Sequence, residues 1–192
     1  MRPSPETAAA AAVQIAVVGM TVPLTFYLRD GQDYGAFDTA LLIAPFLIGL
    51  ATMTTLLRSR TPSGLGDHLP MLGLTVCAVA AISAAILLHN AWNAPALALL
   101  LALFGVGTAT CLSRPRIAVP PLMAPPLTAI TVLVILGASW AAGAAADSAR
   151  EGVSAAFWLS GFSLLGGLAL AVAGRPAWRG GRARTSPEDG RR

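Results

Sequence analysis

The chain has no lysine and few charged residues of any kind. All 13 basic residues are arginine, and charged residues make up only 11% of the 192, whereas a soluble domain is about a quarter charged. Only two histidines and two cysteines are present. Cys77 and Cys111 both fall inside apolar runs, with no histidine or second thiol at metal-ligand spacing. We therefore expect buried, inert thiols, no metal site and no cofactor.

Apolar residues dominate what remains. The sequence is 55% hydrophobic, its mean hydropathy is +0.68, and its charges cluster between long uncharged runs. About 20 apolar residues in a helix cross the hydrocarbon core of a bilayer. The pattern predicts an all-α integral membrane protein, with a cytoplasmic N-terminus at 1–7, a transmembrane domain at 8–174 and a disordered cytoplasmic tail at 175–192. Six transmembrane helices are expected, at residues 8–27, 37–57, 69–88, 92–112, 122–146 and 153–173.

The arginines indicate an orientation in the membrane. If the predicted spans alternate in direction, Arg58, Arg60, Arg114 and Arg116 share one side with the arginine-rich tail. The opposite side then carries only Arg29 and Arg150. Short arginine-rich loops remain in the cytoplasm, so both termini are predicted to be cytoplasmic and the protein is predicted to lie in the cell membrane of a bacterium.

Two function classes are disfavoured by the sequence. The net charge of +4 and the pI near 10 are typical of nucleic-acid binding, but no basic stripe with interleaved aromatic residues is present. Asp67 and His68 pair an acid with a base, yet no serine, cysteine or metal ligand completes a catalytic site. We expect neither a nucleic-acid partner nor an enzyme.

One stretch of the chain resembles a known family of transporters. Residues 23–49, PLTFYLRDGQDYGAFDTALLIAPFLIG, are similar to the first helix pair of the C-terminal half of major facilitator superfamily transporters, in the drug:proton antiporter branch. The LGL at 72–74 and the FGVGTA at 104–109 follow at similar spacing. The resemblance implies that residues 8–174 correspond to the six-helix half bundle of that family.

Two departures from the family bear on function. Pro62 stands about where the cytoplasmic gate motif of the family has its acid, and this sequence contains no counterpart of the family's N-terminal half. The resemblance therefore implies a half-size or truncated transporter that exports a small hydrophobic or amphiphilic molecule, as a homodimer or with a separate N-terminal half. The alternative is a non-transporting accessory or structural membrane protein, or a remnant of a full-length transporter.

The family places its first and fourth helices along the substrate cavity. On that basis the candidate cavity residues are Gln14, Thr21, Thr25, Asn93, Thr108 and Thr110. A structural role is the stronger interpretation for each, because Gln and Thr in membrane helices commonly bond a neighbouring helix or their own backbone. No ionisable residue lies mid-span, so we expect no proton relay within this polypeptide alone.

Overall fold

The structure is a computed structural model that describes residues 5–59, 68–90, 92–112, 134, 137 and 148–173. Within these residues the regular structure is entirely helical, and five helices are long and apolar enough to cross a membrane. The helices are α1 (Pro5–Phe26), which continues into a π-helical turn (Tyr27–Gly31), α2 (Ala36–Ser59), α3 (Leu69–Asn90), α4 (Ala94–Cys111) and α5 (Ala149–Ala173). The predicted all-helical, multi-pass membrane character is thus confirmed.

The five helices overlap five of the six predicted spans. Helix α5 is the sixth predicted span, and it begins at Ala149 rather than near residue 153. The predicted fifth span at 122–146 lies outside the described residues except for 134 and 137. The tail at 175–192 and the basic loop residues Arg60, Arg114 and Arg116 also lie outside them.

The described helices carry apolar side chains on all of their faces. Helix α2 shows this most clearly, because Phe46 is buried while large side chains on its other faces are exposed, namely Phe37, Leu41, Leu47, Ile48 and Leu56. A helix that is hydrophobic all round is typical of a membrane span, where lipid replaces water as the solvent. Pro45 is accommodated inside α2, as prolines are in membrane helices.

The helices pack side by side in the order α2, α4, α3, α5, α1. Helix α4 therefore lies between α2 and α3, and α5 lies between α3 and α1. The core is built from a few large side chains, such as Phe104 and Phe157, and from many small ones on α3, including Ala78, Ala81 and Ala85. Small residues allow membrane helices to approach closely where no hydrophobic effect draws them together.

Glycines bring α4 into backbone contact with both of its neighbours. A Cβ atom on Gly105 would overlap the backbone of Phe46 in α2, and one on Gly49 would overlap the backbone of Ala102. On the other side of α4, a Cβ on Gly107 would lie 2.9 Å from the Cys77 nitrogen in α3. Neither contact surface leaves room for a side chain at these positions.

Contacts between α3 and α5 show that these two helices are antiparallel. Arg150, at the start of α5, donates to the carbonyls of Leu88 and His89 at the end of α3. Further along α5, the Ser154 hydroxyl donates to the Ala85 carbonyl at 3.0 Å. Residue numbers therefore rise along α5 as they fall along α3.

Two further contacts define the two ends of the bundle. The end of α1 lies beside the start of α5, because a Cβ on Gly31 would be 3.8 Å from the Cβ of Ala149. Trp92, just before α4, packs on Tyr27 at the end of α1. We call this end the Trp92 face (Gly31, Trp92 and Ala149), and the opposite end, where α2 and α4 finish, the Arg58 face.

The glycine contacts predict that Gly105→Ala will destabilise the bundle strongly. The new methyl group would overlap backbone atoms of Phe46, which cannot move aside as a flexible side chain can. We expect a loss of about 2 kcal/mol or more, measured as a lower thermal unfolding midpoint in detergent.

The matched control for this measurement is Gly166→Ala. Gly166 is also inside a helix, but a Cβ there would meet no atom within 4 Å, and alanine favours helix more than glycine does. An equal loss in both variants would contradict the close α2–α4 contact.

Candidate functional site on the first helix

Three of the predicted cavity residues lie on one face of α1. At about 100° per residue, Thr21 and Thr25 point within about 20° of the direction of Gln14. Gln14 is exposed, and Thr21 and Thr25 are half-buried. The buried residues Val13 and Met20 lie on a different side of the helix. We call Gln14, Thr21 and Thr25 the α1 stripe.

The two threonines of the α1 stripe bond their own helix. The Thr21 hydroxyl donates to the Val17 carbonyl at 2.7 Å, and the Thr25 hydroxyl donates to the Thr21 carbonyl at 2.7 Å. These hydroxyl protons are therefore engaged, as is common for threonine in membrane helices. The amide of Gln14 makes no hydrogen bond with any described residue, so it is the polar group of the stripe with the capacity to bind a partner.

The two threonines of α4 are placed differently. Thr108 and Thr110 are buried, and each donates to the carbonyl four residues earlier, at 2.8 and 2.7 Å. The Thr108 hydroxyl also lies 3.7 Å from the Cys77 sulfur in α3. Thr108 therefore belongs to the packed α3–α4 contact, away from the exposed face of α1.

Asn93 has a structural task at the start of α4. Its side-chain oxygen accepts a hydrogen bond from the Ala96 backbone nitrogen at 3.1 Å, so it is the N-cap of the helix. Pro95 follows within the first turn, where a missing backbone N–H costs nothing. The side-chain oxygen of Asn93 is thus already occupied.

An aromatic cluster at the Trp92 face was not predicted from the sequence. The ring of Trp92 lies edge-on to Tyr27 and Tyr34, with centroid distances of 5.6 and 6.3 Å. The Gln32 amide nitrogen donates to the Tyr27 hydroxyl at 2.9 Å. Tyrosine and tryptophan favour the boundary between membrane and water, so their position beside predicted span ends was the available signal. The cluster ties the end of α1 to the start of α4.

Charged side chains of the described helices all lie near helix ends. Arg150 is engaged at the end of α3, where a cation also meets the negative end of the helix dipole. Arg58, one of the predicted topology residues, is exposed in the last turn of α2.

The two cysteines are free and fully buried. The Cys77 sulfur lies 3.5 Å from the Phe104 carbonyl oxygen, so its surroundings are the helix backbone of α4. The described residues contain no group of three or more His, Cys, Asp or Glu side chains that could hold a metal ion.

Comparison of the chain with known proteins identified no relative. No family model, no curated protein and no solved structure matches the chain.

The N-cap bond predicts that Asn93→Ala will destabilise the protein by about 1 kcal/mol, because the first turn of α4 loses its acceptor. Thermal unfolding in detergent measures this loss, and Asn93→Asp should restore most of the stability.

Asn90→Ala is the control for the capping prediction. Asn90 is exposed in the last turn of α3, three residues away in sequence. If Asn90→Ala and Asn93→Ala have equal effects, the assignment of Asn93 as a cap is wrong.

Proposed function

We propose that the chain is a half-size membrane transporter of the major facilitator type that exports a small hydrophobic or amphiphilic molecule. The observation that carries the proposal is the pattern of helix contacts, which is that expected of two inverted three-helix repeats. The resemblance of residues 23–49 to the antiporter branch of that superfamily is its second support.

The described helices support six spans rather than five. Helix α4 ends at the Arg58 face, whereas α5 starts at the Trp92 face, where Arg150 meets the end of α3. The chain between Leu112 and Ser148 therefore begins and ends on opposite faces of the bundle. It contains the uncharged run 127–146, which is long enough to cross once.

If the chain has six spans, the contacts of the described helices are compatible with an internal symmetry. In this numbering α1, α2 and α3 are spans 1 to 3, α4 is span 4, the run 127–146 is span 5 and α5 is span 6. Exchanging span 1 with span 4, span 2 with span 5 and span 3 with span 6 converts the α1–α5 contact into the α4–α3 contact. The same exchange converts the α3–α5 contact into itself. A shift of three spans reverses direction across the membrane, so the two repeats are inverted. Each six-helix half of the major facilitator fold is built from such inverted three-helix repeats.

A single half bundle needs a second half to enclose a pathway. The halves of the facilitator fold are related by an axis along the membrane normal, so a second copy of this chain or a separate N-terminal half would supply the missing helices. The resemblance to exporters provides the substrate class, and the arginine distribution supports cytoplasmic termini in the cell membrane.

A non-transporting accessory protein or transporter remnant is the second candidate. The observation that favours it is the state of the polar groups in the described spans. The threonine hydroxyls at 21, 25, 108 and 110 bond their own helices, and the charged side chains lie at helix ends. A transport site normally presents polar groups to its substrate.

Cysteine labelling in intact cells tests the proposed orientation. A cysteine introduced at Ser186, in a variant with Cys77→Ala and Cys111→Ala, should not react with a membrane-impermeant maleimide until the cells are opened. The reason is that the arginine-rich tail is retained in the cytoplasm. A cysteine at Gln32 is the positive control, because Gln32 lies on the Trp92 face, and labelling of the tail before lysis would contradict the orientation.

Flux measurements test transport itself. The purified protein in liposomes should increase the efflux of a hydrophobic cationic dye in a saturable manner, because the exporter resemblance implies amphiphilic substrates. Liposomes that contain the packing variant Gly105→Ala at equal protein content should show less flux, since its α2–α4 contact is disrupted. The Gly166→Ala protein should match the wild type.

Two results would count against transport. Equal dye efflux from protein-containing and protein-free liposomes, across neutral and cationic dyes and with or without a proton gradient, would favour the accessory function. A protein that crosslinks in native membranes neither to itself nor to any other chain would lack the second half that the proposed pathway needs.

A further inference from the structure

Ser160 carries a buried hydroxyl on α5 that no described residue satisfies. The side chain is fully buried, and its oxygen makes no hydrogen bond within the part of the chain that the structure describes. The other two serines of the helix are bonded, because Ser154 donates to the Ala85 carbonyl and Ser163 donates to the Ser160 carbonyl. Buried polar groups need a partner in a folded protein, and a bound water is a common one.

Helical periodicity shows that Ser160 faces α1. Ala149, eleven residues earlier, lies next to Gly31 at the end of α1, and eleven residues of helix make about three full turns. Ser160 therefore points within about 20° of the Ala149 direction. Ser154 and Gly161 contact α3, and they point about 100° to 120° away from Ser160.

The backbone of α1 has a freed carbonyl at the level of Ser160. Helices α1 and α5 are antiparallel, because α1 ends beside the start of α5. Eleven residues back along α1 from Gly31 is Met20, the neighbour of Gly19. Pro23 lies inside α1 and has no N–H, so the Gly19 carbonyl four residues earlier lacks its helix donor. Gly19 and Pro23 are both buried.

The Gly19 carbonyl also lies on the side of α1 that meets α5. A helix carbonyl points along the axis toward the residue four positions later, so this one points toward the Pro23 ring. Pro23, Tyr27 and Gly31 recur at intervals of four residues and share one side of the helix. This is the side on which Gly31 meets Ala149. A buried hydroxyl and a freed carbonyl therefore face each other across the α1–α5 contact.

We infer that a water molecule binds between α1 and α5, held by the Ser160 hydroxyl and the Gly19 carbonyl. The hydroxyl makes no direct bond to that carbonyl, and a water bridges two polar groups that are too far apart to bond each other. Two polar partners are sufficient for a buried water. The water satisfies the carbonyl freed by Pro23 at a depth where lipid offers no donor. The site needs only described helices, so it does not rest on the transport function.

X-ray radiolysis of the full-length protein in detergent tests the site, because hydroxyl radicals formed from a bound water oxidise the side chains beside it. Met20 lies at the level of Ser160 and is 2% exposed, and methionine oxidises readily to the sulfoxide. Mass spectrometry should find the sulfoxide at Met20 after brief irradiation, relative to Met53 on α2 as a dose reference. Ser160→Ala should lower the Met20 labelling by roughly tenfold, because the water loses one of its two partners.

The matched control is Ser154→Ala. Ser154 is also a buried serine of α5, but it donates to α3. Each of the two substitutions removes one buried hydroxyl, so a general loosening of the bundle would affect both. We expect the Met20 labelling of Ser154→Ala to stay within about twofold of the wild type, because its hydroxyl is not a partner of the water.

A second measurement identifies the carbonyl. Pro23→Ala restores a backbone N–H that can bond the Gly19 carbonyl. In the wild type, Ser160→Ala should lower the ratio of folded to unfolded protein in SDS by about fivefold, because a buried hydrogen bond is lost. In the Pro23→Ala background the same substitution should lower this ratio by about twofold or less, since the carbonyl no longer depends on the water.

Three outcomes would overturn the inference. A wild-type protein without Met20 labelling would show that the α1–α5 contact is dry. An equal fall in labelling in Ser154→Ala and Ser160→Ala would show that the water is not held by Ser160. Additive effects of Pro23→Ala and Ser160→Ala on stability would show that the Gly19 carbonyl is not the second partner. None of these measurements depends on flux, so a failure of dye efflux would leave the hydration site standing.

Discussion

The fold depends on the backbone contact of α4 with both of its neighbours. In a bilayer, helices gain little from the hydrophobic effect on association, so close packing has to supply the attraction. Gly49 and Gly105 provide it towards α2, and Gly73 and Gly107 provide it towards α3. Helix α4 therefore joins α2 to α3, and the remaining helices follow because α3 packs on α5 and α5 packs on α1.

This central position of α4 also explains the state of its polar residues. Thr108 and Thr110 are buried, and Thr108 lies against Cys77 of α3. An unbonded hydroxyl would be costly at either position. Each hydroxyl is satisfied by the carbonyl four residues earlier. Threonine therefore serves here as a small residue for packing, and its presence in a span is weak support for a substrate contact.

The sequence was sufficient to predict the five described helices, because their positions follow from one strong constraint. Apolar runs of membrane-spanning length are separated by links that contain charged residues, glycine or proline. Runs of this length and polarity are typical of helices in the lipid hydrocarbon. The site was predicted less completely. Gln14, Thr21 and Thr25 share a face because of helical periodicity alone, which can be read from their numbers.

The missed features depend on contacts between residues distant in sequence. Arg150 bonds carbonyls some 60 positions earlier, and Trp92 meets Tyr27 across the bundle. Neither pairing has a local pattern. The capping role of Asn93 did have one, since an asparagine shortly before a proline at a helix start is typical of an N-cap.

The charged side chains of the Trp92 face carry a net negative charge. Arg150 keeps its positive charge while it donates to backbone carbonyls, but among the described residues of this face only Arg29 and Arg150 oppose the exposed carboxylates of Asp30, Asp33, Asp38 and Glu151. The electrostatic potential of this negative charge decays over about 8 Å in physiological saline. Sodium, hydronium and lipophilic cations would accordingly be concentrated at this end of the bundle, and anions depleted.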